Sequence, residues 1–335
     1  MPLKTSPHAT SFPWKTEPSR SRVRAMFSSS NRRDFLEMLV GGAAGLSLSK
    51  ITRGQQHSSS ITANRISDNL VEVTGAGGNV MVVAGPDGLV MVNGGLPELS
   101  VDLLKVVSNQ SKAQRVQAIF NTDWHLEHTG SNEILGKAGA KIIAHENTKL
   151  WLGAEVFVEW ENRTYKARPR EALPNETFYT TGKMIVGNEQ IEYGHMPQAH
   201  TDGDIYVFFP RSNVLMAGDV VSVGKYPILD YTTGGWIGGL VDATKTLLKL
   251  ANAETRIVPG TGPLQTRADL EAQSEMLATM KDRLVKLMRQ GMGPKDMIAA
   301  APTKEFDAKW GNPELFISNA YRGMWGHVRE LGGIV

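Results

Sequence analysis

NTDWHLEHTG, at residues 121–130, brings two carboxylates and two imidazoles into six consecutive positions directly after the mainly apolar run VQAIF. A short apolar run that gives way to polar residues is typical of a buried strand ending in a loop. In an extended turn alternate side chains point to the same side, so Asp123, His125 and Glu127 should converge, and His128 opens the next helix. Converging nitrogen and oxygen donors suit a divalent cation. The segment therefore predicts a metal site at a strand-to-helix turn.

A polar loop that merely caps a helix is the alternative interpretation of this segment. Two further segments argue against it, because each places a ligand-type side chain beside glycines at the end of a strand-like run. They are QAHTDGD, which contains His200, and MAGD, which ends in Asp219. Three separate stretches of the chain thus offer metal ligands.

The order and spacing of these motifs over residues 65–265 resemble the metallo-β-lactamase superfamily. The signature of that family is T-H-x-H-x-D-H, followed by H-T-x-G-D, then G-D, then G-H-G. The resemblance implies the α/β fold of the family, an αββα sandwich, which this chain extends with additional C-terminal helices. It also implies a metal centre at the edge of the sandwich, where the ligand loops meet.

Four positions depart from the family signature. Asp123 stands where the first histidine is expected, and Glu127 stands where the family has aspartate. Thr261, in PGTG, replaces the last histidine, and Asn93, in VNGG, replaces a buried aspartate that braces the ligands from behind. The resemblance is therefore to the family with a variant metal-binding motif.

Six metal ligands follow from the resemblance: Asp123, His125, Glu127, His128, His200 and Asp219. A first ion would take Asp123 with two histidines, and a second would take Glu127 with the adjacent histidine, while Asp219 bridges both. Thr261 offers at best a weak neutral oxygen, so the second site is expected to be the weaker one. The resemblance implies one or two Zn²⁺ ions, and the three carboxylates add Mn²⁺ and Fe²⁺ as candidates.

The chemistry of such a centre follows from its charge. A divalent ion with an open position lowers the pKa of bound water from about 15.7 to about 7 and polarises a carbonyl or phosphoryl oxygen. We therefore expect a metal-dependent hydrolase that acts through metal-bound hydroxide on a small ester, thioester, lactone or β-lactam. Asp219 or Glu127 would orient the water or protonate the leaving group. A non-catalytic binding protein with a degraded metal site and an iron-dependent oxidoreductase on the same fold are the alternatives.

Three aromatic residues lie in loop-like stretches beside the ligand segments, and we predict that they wall a substrate pocket: Trp151, Tyr226 and Trp236. Ordinary loop packing is the alternative for all three. The stretch 151–175 has no clear period and indicates a long loop or lid, and the glycines around Trp236 indicate a mobile loop.

Apolar runs separated by glycine and proline predict two sets of strands, and two β-rich halves closed by helices predict two facing sheets. The first set comprises 70–73, 80–83, 89–92, 116–120 and 141–144, and the second comprises 183–186, 190–193, 205–209 and 214–216. Helices are predicted at 98–109, from 145, at 294–300 and at 313–331. A Leu and Met stripe between 270 and 287 indicates a further helix that packs into the core, with a homodimer interface as the alternative.

Composition fits one large domain, 61–335, that includes a helical region at 266–335 and follows a disordered basic tail at 1–60. The chain has 335 residues, of which 41% are hydrophobic. The tail holds nine of the 36 Lys and Arg and three of the 34 acidic residues, so the domain has 27 basic and 31 acidic residues. A mildly acidic domain argues against nucleic acid and for a small-molecule substrate as the partner.

The tail contains Arg32 and Arg33 just before a weakly apolar run, Met38–Leu48, which is too short to span a bilayer. This pattern resembles a twin-arginine export signal and implies a periplasmic or secreted protein with no stable membrane anchor after transit. An amphipathic helix or a basic arm of a cytoplasmic protein is the alternative. The sequence has no cysteine, so disulfide bonds give no information on the compartment of the protein.

Overall fold

The computed structural model describes residues 61–110 and 115–332 of the chain. The predicted basic tail and its twin-arginine segment lie outside the described residues. Within the described ranges, no helix combines the length and the apolar character that crossing a membrane requires.

The first half of the described chain builds a seven-stranded sheet. Its strands, together with a separate hairpin, are β1 Thr62–Arg65, β2 Leu70–Thr74, β3 Val80–Gly85, β4 Gly88–Val92, β5 Val116–Phe120, β6 Lys141–His145, β7 Val156–Val158, β8 Arg163–Tyr165 and β9 Glu176–Phe178. The order is β1-β2-β3-β4-β5-β6-β9, antiparallel up to β4 and parallel beyond it. Because β4, β5 and β6 are parallel, the loops that follow them leave from one edge of the sheet.

Helices cover the outer face of this sheet. In chain order they are α1 Ser100–Ser108, α2 Leu126–Thr129, α3 Asn132–Lys137 and α4 Glu146–Leu152. The apolar side of α1 packs Leu103 and Val107 against strand residues such as Val82 and Met91. The predicted helix at 98–109 is therefore present, with its apolar side turned to the sheet.

The second half builds a five-stranded sheet with the order β10-β11-β12-β13-β14. Its strands are β10 Thr181–Val186, β11 Glu189–His195, β12 Ile205–Phe209, β13 Val214–Gly218 and β14 Arg256–Pro259. The last pair, β13 and β14, is parallel. A helical crossover, α5 Ile237–Leu250, joins these two strands, as parallel pairing requires.

The two sheets pack face to face. Val90 and Phe120 of the first sheet share one buried cluster with Val207 and Phe209 of the second. Each such side chain contributes about 1.5–3 kcal/mol when it leaves water, so the inner layer is a major source of stability. With helices on both outer faces, the architecture is the predicted αββα sandwich.

The C-terminal helices pack on the outer face of the second sheet and are α6 Arg267–Arg289, α7 Pro294–Ala299, α8 Asp307–Trp310 and α9 Glu314–Gly326. Helix α6 begins with a capping box, in which the Thr266 side chain accepts from the Asp269 backbone and the Asp269 side chain accepts from the Thr266 backbone. The predicted stripe is buried at Leu270, Leu277, Met280 and Leu284, and its last member, Leu287, is partly buried. The last helix ends at Gly326, before the predicted boundary at 331.

Residues 151–175, predicted as a loop or lid, contain the antiparallel hairpin β7–β8. Val156 and Val158 of this hairpin form a small apolar cluster with Trp124. The prediction of a long irregular loop is therefore wrong for this part, because strands of three residues are too short to show a period in the sequence.

Candidate metal centre

Three loops at strand ends bring the predicted ligands together. The loop after β5 and the short helix α2 that follows it supply four of them, the loop between β11 and β12 supplies His200, and the residue after β13 is Asp219. Because β5 and β13 belong to different sheets, the site lies where the two layers of the sandwich meet.

A glycine allows the second sheet to approach the first at this point. Gly218, the last residue of β13, has φ +57°, and a Cβ there would lie 2.8 Å from Cβ of Thr122. A side chain at this position would clash and would also disfavour the left-handed backbone. Gly218 therefore sets the close contact that directs Asp219 towards the loop after β5.

The six predicted ligands fall into two groups whose donor atoms lie within 4.8 Å of one another. One group consists of Asp123, His125, His200 and Asp219, and the other of Glu127, His128 and Asp219. Asp219 belongs to both groups. All six predicted ligand residues are thus brought together at one place.

His200 is held in a defined orientation. Its Nδ1 lies 2.9 Å from the Ile228 carbonyl oxygen, which can only accept, so Nδ1 carries the proton and Nε2 offers a lone pair. The loop around it is fixed by Asp204, whose carboxylate accepts from the Thr201 backbone N–H and hydroxyl, both at 2.8 Å.

The glycines around Trp236, predicted to form a mobile loop, in fact pack against the His200 segment. A Cβ on Gly235 would collide with the His200 carbonyl oxygen, and one on Gly239 would collide with that of Gln198. The mobile-loop prediction is therefore wrong. Glycine is needed at these positions because two backbone segments approach closely there and leave no room for a side chain.

His125 lies between carboxylates and is buried. Its Nδ1 is 3.3 Å from Nε2 of His200 and 3.1 Å from Oδ1 of Asp123. Its other ring nitrogen, Nε2, lies 3.4 Å from Oδ2 of Asp230 but makes no hydrogen bond with any described residue. Nδ1 therefore faces the ligand group, while Nε2 faces a carboxylate behind the ring.

Asp230 is a site residue that the sequence did not reveal. It is fully buried and accepts from the Thr233 hydroxyl at 2.7 Å and from the Thr232 backbone N–H at 3.2 Å. A carboxylate behind a ligating imidazole fixes its tautomer and raises its basicity. In the sequence an aspartate two residues before a pair of threonines is typical of a helix or turn cap, so no separate signal marked it.

His128 is buried and contacts a different set of partners. Its Nε2 lies 3.1 Å from Oδ2 of Asp219 and 3.4 Å from Oδ2 of Asp123. Its Nδ1 lies 2.9 Å from Nδ2 of Asn93, the residue that replaces the aspartate of the family.

Burial and charge shift the ionisable groups of the site in opposite directions. Burial alone would lower the pKa of His128, but the carboxylates of Asp123 and Asp219 raise it to about 10. The pKa of His125 is likewise raised, by Asp123 and Asp230, against burial. Burial would raise the pKa of Asp230, yet His125 lowers it to about 2. The carboxylates thus favour positive charge among them, which protons or a metal ion can supply.

The first group of ligands fits a divalent ion. Two atoms bound to the same Zn²⁺ at about 2.0–2.2 Å lie roughly 3–3.6 Å apart. The separations of His125 Nδ1 from His200 Nε2 and from Asp123 are 3.3 and 3.1 Å, and His200 Nε2 is 3.7 Å from Oδ2 of Asp219. Two nitrogens and two carboxylates at these distances form a set that could hold one metal ion.

A small cavity of about 70 Å³ opens onto the ligands. Glu127, His200 and Asp219 line it, together with Thr261 and the exposed Lys225. Glu127 is half-buried and its side chain reaches this cavity, so it can meet a substrate as well as an ion. Lys225 places a positive charge at the same cavity.

The three aromatic residues predicted to wall a pocket have different places. Trp151 lines a neighbouring cavity of about 230 Å³ together with Trp124. Tyr226 and Trp236 belong to the hydrophobic core under the C-terminal helices. Tyr226 stacks on Phe316 with ring centroids 5.2 Å apart, and Trp236 stacks on His327 at 3.9 Å. The pocket assignment is corrected for these two, because α9 covers them.

Comparison with protein families gives one match. The matching family is the metallo-beta-lactamase superfamily, whose model matches residues 73–262. That range contains every predicted ligand. No curated protein matches the sequence.

Several solved structures share the fold. A metallo-beta-lactamase from Pontibacter korlensis has a TM-score of 0.53 at 20% identity and matches over 65% of this chain and 99% of its own. The sec-alkylsulfatase Pisa1 from Pseudomonas sp. has a TM-score of 0.61 at 17% identity, over 78% of this chain and 50% of its own, so this chain spans half of that sulfatase. The metallo-beta-lactamase DIM-1 has a TM-score of 0.51 at 18% identity, over 66% of this chain and 98% of its own. At such identities the likeness shows the fold alone.

Proposed function

This chain belongs to the metallo-beta-lactamase superfamily, whose model matches more than half of it, and from that premise we propose that it is a metal-dependent hydrolase of a small molecule. The bond that it cleaves would be an ester, thioester, lactone, β-lactam or sulfate ester. The proposal rests on the residues of the site.

One observation carries the proposal. Nδ1 of His125 and Nε2 of His200 face each other at 3.3 Å, with the carboxylates of Asp123 and Asp219 beside them. Buried imidazoles with two adjacent carboxylates are costly unless a cation balances the charge. Such a set therefore supports a role in holding a metal ion.

Each residue of the site would have a separate role in the reaction. Asp123, His125, His200 and Asp219 would hold the ion, which when bound supplies an acidified water and polarises the group to be cleaved. Glu127, at the cavity wall, would accept a proton from the attacking water or return it to the leaving group.

The position of Lys225 favours a negatively charged substrate. Lys225 lines the cavity over the ligands, so its ammonium group would be available to pair with a carboxylate or sulfate of the substrate. Since Lys225 is exposed, this contact would steer and orient the substrate more than it would tighten binding.

A second candidate function is oxidation at bound iron. Asp123, His125 and His200 are two histidines and one carboxylate, the ligand types of non-haem Fe(II) oxygenases. Asp219 would then be a fourth ligand, which leaves fewer open positions for oxygen and substrate. Oxygen consumption by the iron-loaded protein would favour this candidate.

The test pairs metal analysis with activity on the full chain. The purified protein is loaded separately with Zn²⁺, Mn²⁺ and Fe²⁺, dialysed, analysed for bound metal and assayed against esters, thioesters, lactones, β-lactams and alkyl sulfates. We expect His200→Ala to lose the ion and at least about 10²-fold of activity, since it removes a ligand. His145→Asn, a change at a histidine outside the ligand groups, is the matched control and should retain both.

Two results would overturn the proposal. Activity that persists unchanged in His200→Ala would show that the assigned ligands do not act in the reaction. Less than about a tenth of an equivalent of each metal in the wild type would favour a non-catalytic binding protein.

A further inference from the structure

A second cavity lies next to the one that opens onto the predicted ligands. It has a volume of about 230 Å³ and is lined by the hairpin β7–β8 together with Trp124 and Leu126, so we call it the hairpin cavity. Glu127, the next residue along the chain, lines the cavity over the ligands. Within residues 121–130, only Leu126 and Glu127 are partly exposed. The two cavities are therefore neighbours, separated by two adjacent residues that are open to solvent.

Three aromatic rings line the hairpin cavity: Trp124, Trp151 and Tyr165. The polar atom of each ring is already bonded to the protein. Nε1 of Trp124 donates to a threonine hydroxyl at 3.1 Å, and Nε1 of Trp151 donates to the carboxylate of Asp202 at 2.7 Å. The hydroxyl of Tyr165 donates to Glu161 at 2.5 Å. The rings therefore offer only their carbon edges and faces to a ligand, which favours a flat apolar group.

The hairpin that forms one wall of this cavity is held in place on two sides. Two valines of β7 are buried in one cluster with Trp124, and the ring of Tyr165 meets Trp124 edge-on with centroids 5.1 Å apart. Between the two strands, Glu159 accepts from the Tyr231 hydroxyl at 3.0 Å and from Arg322 at 2.9 Å. The cavity is therefore preformed, which lowers the entropic cost of binding a ligand.

Among the described residues, the charged side chains that line the hairpin cavity are all basic: Arg163, Lys166 and Arg168. Lys166 is paired with Glu155 at 2.5 Å. The guanidinium group of Arg163 lies over the Tyr165 ring, 4.5 Å from its centroid. No carboxylate of the described chain lies within 4.0 Å of the Arg163 or Arg168 guanidinium group. Two guanidinium groups thus keep donors available for a carboxylate, which they bind with two parallel hydrogen bonds.

We propose that the hairpin cavity binds the part of the substrate that carries an aromatic ring with a carboxylate, while the bond to be cleaved lies in the cavity over the ligands. This inference rests on the proposed function, because it names the substrate class of that site. A cavity of about 150 Å³ accepts benzene, so one of about 230 Å³ holds a single ring with a short acidic substituent. The ring packs on the indoles, and the carboxylate pairs with Arg163 and Arg168.

The first measurement is the affinity of the full chain for phenylacetate, by titration with ligand-observed ¹H NMR. Phenylacetate has the ring and the carboxylate but no bond to cleave. Cyclohexylacetate keeps the charge without the aromatic ring, and phenylacetamide keeps the ring without the charge. We expect each of these two analogues to bind about 5-fold more weakly than phenylacetate. Equal affinity for all three compounds, or no binding of phenylacetate at about 10 mM, would overturn the inference.

The second measurement locates the bound acid. Arg163→Gln and Trp151→Leu each alter one wall of the hairpin cavity and should weaken phenylacetate binding by about 5-fold. Arg170→Gln is the matched control, since Arg170 is an exposed arginine of the same segment that does not line the cavity, and it should bind as the wild type does. Because Arg163 is exposed, its exchange tests the site even if Trp151→Leu does not fold.

Two results would place the acid elsewhere and contradict the inference. An equal loss in Arg170→Gln would mean that only the net charge of the segment matters. A loss in Lys225→Gln, or after removal of metal with a chelator, together with full binding in Arg163→Gln, would place the acid in the cavity over the ligands. Circular dichroism verifies that each variant is folded.

Kinetics tests whether the hairpin cavity serves the substrate. We expect phenylacetate to inhibit competitively, and Arg163→Gln to raise KM for an ester that carries a carboxyphenyl group. Inhibition that is not competitive would separate the cavity from the substrate and overturn the inference. A chain that binds phenylacetate but hydrolyses no compound of the panel contradicts the proposed function and leaves the ligand preference of the cavity intact. Hydrolysis with no preference for the ring or the charge contradicts this inference alone.

Discussion

Two groups of buried or half-buried histidines lie at or shortly after strand ends in this protein, and their surroundings differ in one respect. In the candidate metal centre, His125 and His128 contact carboxylates, and the pKa of each ring is raised. At the ends of β6 and β11, His145 and His195 stack at 3.6 Å with an interplanar angle of 11°. Burial lowers the pKa of His145, and the charge of His195 lowers it further, to about 4.

The comparison teaches that burial alone does not make a histidine a metal ligand. Hydrogen bonds of the stacked pair go to the backbone: His195 Nε2 lies 2.8 Å from the Asp202 carbonyl, and His145 Nδ1 accepts from the Asn147 N–H. Backbone dipoles support neutral rings, whereas carboxylates favour a cation among the rings. Two stacked rings that resist protonation are suited to packing, and rings between carboxylates are suited to holding an ion.

The largest expected effect comes from removing the carboxylate that both ligand groups share. Asp219→Ala deletes a carboxylate whose Oδ2 lies 3.1 Å from Nε2 of His128 and 3.7 Å from Nε2 of His200. The two rings therefore lose the negative charge that favours a cation beside them. We expect ion affinity to fall by more than about 10²-fold and kcat/KM by at least about 10³-fold. Isothermal titration with Zn²⁺ and steady-state kinetics measure both.

Asp202→Asn is the matched control for this change, because Asp202 lies beside the stacked pair and accepts from Trp151 Nε1 at 2.7 Å. It should leave metal binding intact. Equal losses in Asp202→Asn and Asp219→Ala would show that the carboxylates of the centre have no special role.

A smaller effect is expected from the carboxylate behind the ligand ring. Asp230→Asn keeps the size of the side chain and removes the charge 3.4 Å from His125 Nε2. Because a carboxylate of this kind orients the ring and raises its basicity, Zn²⁺ affinity should fall by about 10- to 100-fold while the fold persists. Competition with a chromophoric chelator measures the affinity. An unchanged affinity in a folded variant would remove Asp230 from the metal centre.

A still smaller effect is expected at the cavity mouth. Lys225→Gln removes an exposed charge, so kcat/KM for an anionic substrate should fall by about 3- to 10-fold, mainly through KM, and the loss should shrink at high salt. A neutral substrate of the same bond type is the control and should be unaffected. An equal loss for the neutral substrate would mean that Lys225 supports the cavity structurally and does not recognise charge.

The sequence predicted which side chains meet at this site because most of the information is local, whereas their role as metal ligands stays a prediction. Four of the six predicted ligands lie in one turn after a strand, and the other two follow strand-like runs next to glycine. Asp230 could not be predicted, since its proximity to His125 arises from a remote loop and its local pattern is that of a cap. Tyr226 and Trp236 were misplaced for a related reason: whether an aromatic residue beside glycines lines a cavity or is covered depends on where α9 packs.

The orientation of Asn93 illustrates the same limit at atomic scale. The sequence shows that an amide replaces the carboxylate of the family, but the consequence for His128 depends on which side of the amide faces Thr122. The orientation of the amide is fixed by the backbone N–H of Thr122, in the loop after β5. This N–H reaches Asn93 only when β4 and β5 pair. Long-range strand pairing thus determines which partner each end of the amide contacts, and composition cannot reveal it.

The smallest expected effect tests the other side of the comparison, the stacked pair. His145 has a pKa of about 4 in the folded protein, below the ordinary value of 6.5, so between these pH values the unfolded chain binds more protons. The free energy of unfolding should therefore fall as the pH drops from about 6.5 towards about 4, by on the order of 1 kcal/mol from this residue. A hydrogen bond with the Tyr179 backbone and the charge of Glu146 oppose the shift.

His145→Asn isolates that contribution. Asparagine can still cap α4 in place of the ring nitrogen that accepts from Asn147, but it does not titrate. Denaturant unfolding of both proteins between pH 4.5 and 7.5 should give a flatter pH dependence for the variant. Parallel curves would mean that His145 takes up its proton at the same pH in the folded and the unfolded protein. Burial without neighbouring carboxylates would then not lower the pKa of the ring. In that case the pKa would not distinguish the stacked pair from the histidines of the candidate metal centre.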